Sequence, residues 1–160
     1  MGLCIPIVYN SSGYESVKTL KLLDGIVDIY LPDARYADNK IAQKYSSAPN
    51  YFEIAKKVLK EMYRQVGNLV TDKIGMARSG LIVRHLVLPE GLSGTRKIMR
   101  FVAREISPHT YISMMAQYFP AYQADQFPPL SRRINKEEYT EALQAFKKEG
   151  LENGWFQKDI

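Results

Sequence analysis

Cysteine and histidine are scarce in this chain of 160 residues, which has one cysteine, Cys4, and two histidines, His85 and His109. A single cysteine excludes a disulfide within the chain and every metal motif built from several thiolates. The histidines have no cysteine or acidic partner at the spacing of metal ligands. We therefore expect no structural metal bound by this chain alone, and we expect Cys4 to be a small buried residue before a strand.

Long apolar runs and familiar catalytic motifs are also missing. No apolar run reaches the roughly 18 residues needed to span a bilayer. The amino terminus lacks the basic and apolar regions of a secretory signal. We therefore expect a cytoplasmic protein with no membrane partner. The absence of a P-loop and of a G-x-S-x-G motif argues against a hydrolase or a phosphate-binding enzyme.

No basic cluster dominates the charge, although the formal net charge is +5. Residues 1–80 hold eleven basic and eight acidic side chains, and residues 81–160 hold eleven and nine. Such a diffuse excess predicts no nucleic-acid surface. With 46% hydrophobic and 24% charged residues, the composition indicates one globular domain over residues 1–160.

Strand-like and helix-like segments alternate along the chain. Four apolar runs read as strands: CIPIVY, IVDIYL, LIVRHLVLP and TYISMMAQ. A hairpin around GMARSG leads into the third of them. Helical spacing marks four segments: ESVKTLKLLDG, PNYFEIAKKVLKEMYRQVG, SGTRKIMRFVAREI and the run after Asn135. This order predicts an α/β fold whose parallel strands are buried on both faces.

The predicted helix ends depend on a few residues. Gly25 should stop the first helix, and Ser93 or Thr95 should cap the third. Asn135 and Glu138 have the spacing of a capping box for the last helix. The tail should dock through its two aromatic residues, Trp155 and Phe156.

Polar side chains lie in or just after each of the four strands. They are Asn10, Asp33, Arg84 and Gln117. Because the carboxyl ends of parallel strands form one functional edge, these side chains are candidates for a shared site.

Each candidate also has a structural interpretation. Asn10 could cap a turn with the serines that follow it. Asp33 could pair with Arg35 or cap a short helix. Arg84 could form an ion pair with Asp28 or Asp33. Gln117 could be purely structural.

Four predicted strands are too few for a closed barrel, since an eight-stranded barrel takes about 250 residues. An open sheet would leave unpaired edges, which favours pairing with another chain. The sequence therefore predicts either a missing half or a homo-oligomer.

Four segments carry a resemblance to a known family: IPIVYNSSGYES, LLDGIVDIYLPDARYADN, LIVRHLVLPEGLSGT and RRINKEEYTEAL. Over roughly residues 3–150 the chain resembles the carboxyl-terminal portion of radical SAM proteins related to pyruvate formate-lyase activating enzyme. The resemblance implies the later part of a partial (βα)6 TIM-like barrel with a C-terminal helix. It also implies S-adenosylmethionine as cofactor and a protein substrate.

The family's amino-terminal half carries a CxxxCxxC motif that holds a [4Fe–4S] cluster, and this chain has no such motif. The resemblance therefore implies a cluster only if a missing amino-terminal half supplies it. Its strand-end motifs make Asn10, Asp33, Arg35 and Arg84 candidates for cofactor contact. Arg35 stands where the family usually has lysine, which changes the reach and the hydrogen-bond geometry.

Gln117 or Tyr118 falls where the activating enzyme has a histidine-containing strand end, and the resemblance makes Gln117 the fifth candidate for cofactor contact. Two functions remain open. The chain is either the carboxyl-terminal half of a radical SAM activase-like enzyme, inactive alone, or a non-catalytic or degenerate fragment that acts as an oligomeric or binding module.

Overall fold

The protein is described here by a computed structural model over residues 5–157, so Cys4 lies outside the described residues. The strands are β1 (Val8–Ser11), β2 (Ile29–Pro32), β3 (Val70–Thr71), β4 (Ala77–Leu86), β5 (Tyr111–Met115) and β6 (Gly154–Phe156). The α-helices are α1 (Val17–Lys21), α2 (Asn39–Ser46), α3 (Tyr51–Val66), α4 (Thr95–Glu105) and α5 (Lys136–Lys148). Within this range no helix is both long enough and apolar enough to cross a membrane.

The strands form one sheet and confirm the α/β class. Five of them run parallel in the order β1-β2-β4-β5-β6, and β3 pairs antiparallel with β4 as the predicted hairpin. The parallel strands follow chain order, whereas a doubly wound sheet reverses its order at a switch point. β6 was not predicted, because its three residues are too few to show a pattern.

The helices pack on one face of this sheet. The core joins side chains from α1, α3, α4 and α5 to alternate strand residues, namely Tyr30, Leu81, Val83, Ile112 and Met114. We call this side the helix face. The opposite side, the open face, is formed mostly by residues that are exposed or half-buried: Val8, Asn10, Ile82, Arg84, Tyr111 and Ser113. Ile29 of β2, in register with Val8, is buried. The prediction that both faces are buried is therefore wrong, since alternate strand residues remain accessible.

The helix ends agree with the sequence only in part. α3 ends at Gly67 as predicted, and α5 begins with the predicted capping box of Asn135 and Glu138. α4 is capped by Gly94, with φ +67°, so the predicted cap at Ser93 or Thr95 is wrong. The two hydroxyls lie 3.2 Å from each other and do not cap the helix.

Two further differences lie between β1 and α3. α1 is only five residues long and ends before Gly25. α2 was not predicted as a helix, and Asp38 caps it by accepting hydrogen bonds from the backbone N–H groups of residues 40 and 41.

The carboxyl-terminal tail docks through one aromatic residue. The ring of Phe156 meets that of Phe146 edge-on at 5.0 Å between centroids and packs against the core. Trp155 is 51% exposed, so its predicted docking is wrong. Successive strand residues point to opposite faces, which sends these neighbours to different sides of β6.

Candidate functional site

Three predicted site residues come together at the carboxyl ends of adjacent strands. Asn10 lies near the end of β1, Asp33 directly follows β2, and Arg84 lies near the end of β4. A bridge pairs Asp33 with Arg84 in parallel register beyond the end of β2. Because side chains alternate along a strand, this register puts all three on the open face.

Four residues form a connected polar group that we call the strand-end cluster: Asn10, Asp33, Arg35 and Arg84. The Arg84 Nη1 donates to Asn10 Oδ1 at 3.2 Å, and its Nε lies 3.0 Å from Asp33 Oδ1. The Arg35 Nη2 donates to Asp33 Oδ2 at 2.8 Å. Two guanidinium groups therefore flank one carboxylate, and the cluster carries a net charge of +1.

One contact inside the cluster is incomplete. The Arg84 Nε and Asp33 Oδ1 are both shielded from solvent, yet neither has a hydrogen-bond partner among the described residues. Their distance of 3.0 Å satisfies an ion pair, but the N–H is not aligned with the oxygen. Buried polar atoms are normally hydrogen-bonded, so this contact is an ion pair that lacks an aligned hydrogen bond.

Gln117 does not join the strand-end cluster. It lies two residues after β5 with an exposed side chain, and its amide nitrogen is 3.7 Å from the sulfur of Met115. The alternative residue, Tyr118, donates its hydroxyl proton to the carbonyl of Leu130 at 2.8 Å, which fixes it in the following loop.

The structural interpretations of Arg84 and Asn10 differ in how well they agree with the structure. Arg84 pairs with Asp33 rather than with Asp28, whose carboxylate accepts from the backbone N–H of Ile7. The turn after β1 is held by the Ser11 hydroxyl, which accepts from the Gly13 N–H, and Asn10 takes no part in that bond. The Asn10 side chain instead lies on the open face, where its Oδ1 accepts from Arg84.

Tyr51, at the start of α3, fixes the backbone around the cluster. Its hydroxyl accepts from the Arg35 N–H at 3.0 Å and lies 3.0 and 3.1 Å from the carbonyl oxygens of Ser12 and Asp33. Burial raises the pKa of Tyr51 to about 12, so the hydroxyl keeps its proton. A Cβ on Gly13, whose φ is +69°, would stand 2.3 Å from the Asp33 carbonyl oxygen, so only glycine permits this approach.

His85 supports the same segment from the helix face. Its Nδ1 lies 2.6 Å from the Ala34 carbonyl and its Nε2 lies 2.8 Å from the Thr95 hydroxyl. A carbonyl can only accept, so Nδ1 carries the proton and Thr95 donates to Nε2. Burial lowers the pKa of His85 to about 4, which keeps the ring neutral.

Sequence reasoning did not identify Tyr51 or His85 as supports of the site. Tyr51 is 16 to 39 residues away from its partners in the chain. The available signal for His85 was its position one residue after Arg84. Adjacent strand residues face opposite sides, so His85 had to lie behind the site, on the helix face.

Neither a metal centre nor the larger cavity involves the cluster. Across residues 5–157 no group of three or more His, Cys, Asp or Glu side chains is placed to hold a metal ion. A cavity of about 580 Å³ lies between α2, α4 and α5, and none of the strand-end cluster lines it. Its walls mix acidic and basic side chains, including Glu90, Glu141 and Lys148.

The fold and the site thus define an α/β protein with a cationic polar cluster at the carboxyl ends of parallel strands. No family model matches the chain. It is 32% identical over 149 residues to an archaeal protein, "Uncharacterized protein MJ0674" of Methanocaldococcus jannaschii. The match covers 92% of this chain and 40% of that protein, so the chain spans about two fifths of its relative's length.

Proposed function

We propose that this chain is the carboxyl-terminal part of a radical SAM activase-like enzyme, in which the strand-end cluster helps to bind S-adenosylmethionine. The observation that carries the proposal is the convergence of Asn10, Asp33 and Arg84 on the open face, joined there by Arg35. These residues belong to the motifs on which the sequence resemblance rests. We propose a cytoplasmic location for the enzyme.

The chemistry of the cluster fits the methionyl end of S-adenosylmethionine, which carries a carboxylate and an ammonium group. The guanidinium groups of Arg35 and Arg84 can bind the carboxylate, and Asp33 can accept from the ammonium group. The Asn10 Oδ1 already accepts from Arg84, which leaves the amide N–H₂ to donate to a ligand. When bound, S-adenosylmethionine supplies the radical chemistry, and the residues of this chain bind and orient it.

An iron–sulfur cluster does not fit the residues of this chain. One cysteine cannot replace the three thiolates of the family's motif, and Cys4 lies outside the described residues. The proposal therefore assigns the cluster ligands to an amino-terminal half, present either as another chain or as the remainder of a longer one. No step of the reaction is assigned to this chain's own thiol.

The sheet geometry supports a partial barrel, the architecture that the proposal requires. Strands in chain order with helices on one face are the arrangement of a barrel segment. β1 lies at an edge of the sheet, and Ile5, Ile7 and Val8 expose 68%, 39% and 53% of their surface beside it. We propose that an amino-terminal half pairs along this edge and extends the open face into a barrel interior.

The same edge supports the second candidate, a non-catalytic module that pairs with a second copy of itself. Exposed apolar edge strands invite pairing with any suitable strand. Sedimentation equilibrium of the purified chain separates the two candidates. The second predicts a stable homo-oligomer whose mass is unchanged when a cysteine-motif chain is added.

The test of the first candidate is co-expression with the product of any coding segment next to this one that carries CxxxCxxC. Calorimetric titration with S-adenosylmethionine should show weak or no binding by the chain alone and clear binding by the complex. Asp33→Ala should weaken that binding at least about tenfold, the factor for one charge-assisted hydrogen bond. Asp125→Ala, at an exposed position after β5, is the matched control. Unchanged binding by the Asp33 variant would contradict the assigned site.

A further inference from the structure

A small pocket of about 210 Å³ opens beside the strand-end cluster, between the segments that follow β1 and β2. We call it the tyrosine pocket, and its lining residues are Ser12, Tyr14, Arg35, Tyr36, Ser46, Ala48 and Tyr51. Neither the strand-end interpretation nor the resemblance assigns it a role.

The aromatic walls of the tyrosine pocket are fixed by hydrogen bonds. Tyr14 donates to the Pro49 carbonyl at 2.8 Å, and the Tyr36 hydroxyl lies 2.9 Å from the Ser46 hydroxyl. Tyr51 stacks on Tyr14 at 5.8 Å with 16° between the ring planes and meets Tyr36 edge-on at 5.7 Å. The pocket is therefore preformed, as ligand sites usually are.

The charge of the pocket favours an anion. Arg35 is the charged residue among its lining residues, and no acid lines it. The Arg35 side chain is 40% exposed and commits Nη2 to Asp33, leaving most of its donors for a ligand. Arg84 also pairs with Asp33, so the positive charge of Arg35 is not fully cancelled by that carboxylate.

The size of the pocket limits the ligand to a single group. Sites for whole drug-sized ligands measure about 300–1,000 Å³. At about 210 Å³ the tyrosine pocket lies below this range, so we expect it to take one small group rather than a nucleoside cofactor. One aromatic ring fits, and the tyrosine rings give it stacked and edge-on partners.

We propose that the tyrosine pocket binds a small aromatic carboxylate, with the carboxylate on Arg35 and the ring against Tyr14 and Tyr36. A guanidinium group matches a carboxylate in geometry and charge. The ligand class is a benzoate-like acid, either free or carried as the end of a larger substrate. The pocket shares Arg35 with the proposed cofactor site, but the proposal concerns the isolated chain in the absence of S-adenosylmethionine.

The test is an NMR titration of the ¹⁵N-labelled chain at pH 7 with benzoate and, separately, with benzamide, its neutral analogue. Benzoate should shift the amide signals around residues 12–14, 35–36 and 46–51 in a saturable manner. Benzamide should bind at least about tenfold more weakly, because it lacks the charge-assisted bond. Arg35→Gln should remove the preference, whereas Arg78→Gln, which alters a pair with Asp72 on the β3–β4 hairpin, should not.

Two blocking variants test the location. Ala48→Leu fills the pocket from its buried wall, and Ser12→Leu fills it from its exposed mouth without removing the backbone carbonyl that Tyr51 contacts. Both should abolish benzoate binding, and retention of a dispersed amide spectrum shows which variants are folded. Absence of saturable binding, equal affinity for benzamide, or unchanged binding by a folded blocking variant would each overturn the proposal. These measurements are made without S-adenosylmethionine, so the Asp33→Ala titration still tests the proposed cofactor site separately.

Discussion

Arg84 and His85 are neighbours in β4, yet their side chains stand in opposite surroundings. His85 faces the helices, is completely buried, and has a hydrogen-bond partner at each ring nitrogen. Arg84 faces the open side with 27% of its side chain exposed, and its shielded Nε has no aligned partner in the described chain. At this position of β4 the side chain on the helix face is fully hydrogen-bonded within the chain, and the side chain on the open face is not.

The apolar residues of the same strand repeat this contrast. Val83 is fully buried against the helices, whereas Ile82 on the open face is half-buried. Burial of a large apolar side chain stabilises a fold by about 1.5–3 kcal/mol. We infer that the helix face supplies most of the stability, and the proposed cofactor site lies on the open face.

The largest expected effect is the difference in stability between substitutions at two adjacent residues of β4 that face opposite sides of the sheet. Val83→Asp should prevent folding or cost more than about 4 kcal/mol, because it buries an unpaired charge among apolar side chains. Ile82→Asp should cost about 1 kcal/mol, since its carboxylate reaches water. Urea unfolding followed by circular dichroism measures both. Similar losses for the two variants would mean that the open face is as much a core as the helix face.

The next largest effect is a loss of folding stability at acid pH that arises from His85. Its pKa is lowered from 6.5 to about 4 in the folded chain, so the unfolded chain binds the proton more readily. The stabilisation is complete above pH 6.5 and is lost as the pH falls towards 4. The free energy of unfolding should therefore fall by about 3 kcal/mol between pH 7 and pH 4 from this group alone.

The control for the acid effect is His85→Asn, whose amide can still donate to the Ala34 carbonyl but does not titrate. Glu61 and Glu138, whose pKa values are lowered to about 2 by Arg64 and Arg132, titrate in both proteins. Subtracting the two stability curves therefore isolates His85. Parallel curves from pH 7 to pH 4 would show that its ring is not buried as described.

The sequence predicted features that depend on local pattern. The period of α3, the capping box of α5 and the β3–β4 hairpin all follow from spacings of a few residues. The meeting of Asn10, Asp33 and Arg84 followed from one rule about the carboxyl ends of parallel strands. The same rule gave a wrong prediction for Gln117, which lies two residues beyond the end of β5, where strand register no longer fixes the side chain.

Features that depend on contacts distant in sequence were not predictable. The hydroxyl of Tyr51 joins the segments after β1 and β2, and no spacing rule links a tyrosine to partners up to 39 residues away. The hydroxyls flanking Gly94 were expected to cap α4, but Thr95 bonds His85. The alternation of buried and half-buried residues in β4 was hidden because both kinds include apolar side chains.

The smallest expected effect tests the open face directly. Arg84→Met should change the free energy of unfolding of the isolated chain by no more than about 1 kcal/mol. Removing one partner of a buried ion pair ordinarily costs about 3–5 kcal/mol, because it leaves an uncompensated charge. Here Asp33 keeps Arg35 at 2.8 Å, and its contact with Arg84 is not an aligned hydrogen bond. The hydrogen bond that Arg84 donates to Asn10 is also lost, but it is exposed to solvent.

Arg78→Met is the matched control, since it removes an arginine paired with Asp72 on the exposed hairpin. Equal small losses for the two variants would show that Arg84 adds little to the stability of the chain despite its shielded Nε. A loss above about 2 kcal/mol for the Arg84 variant would make it a structural ion-pair residue instead. In that case the proposed cofactor site would depend on Asn10, Asp33 and Arg35 without Arg84.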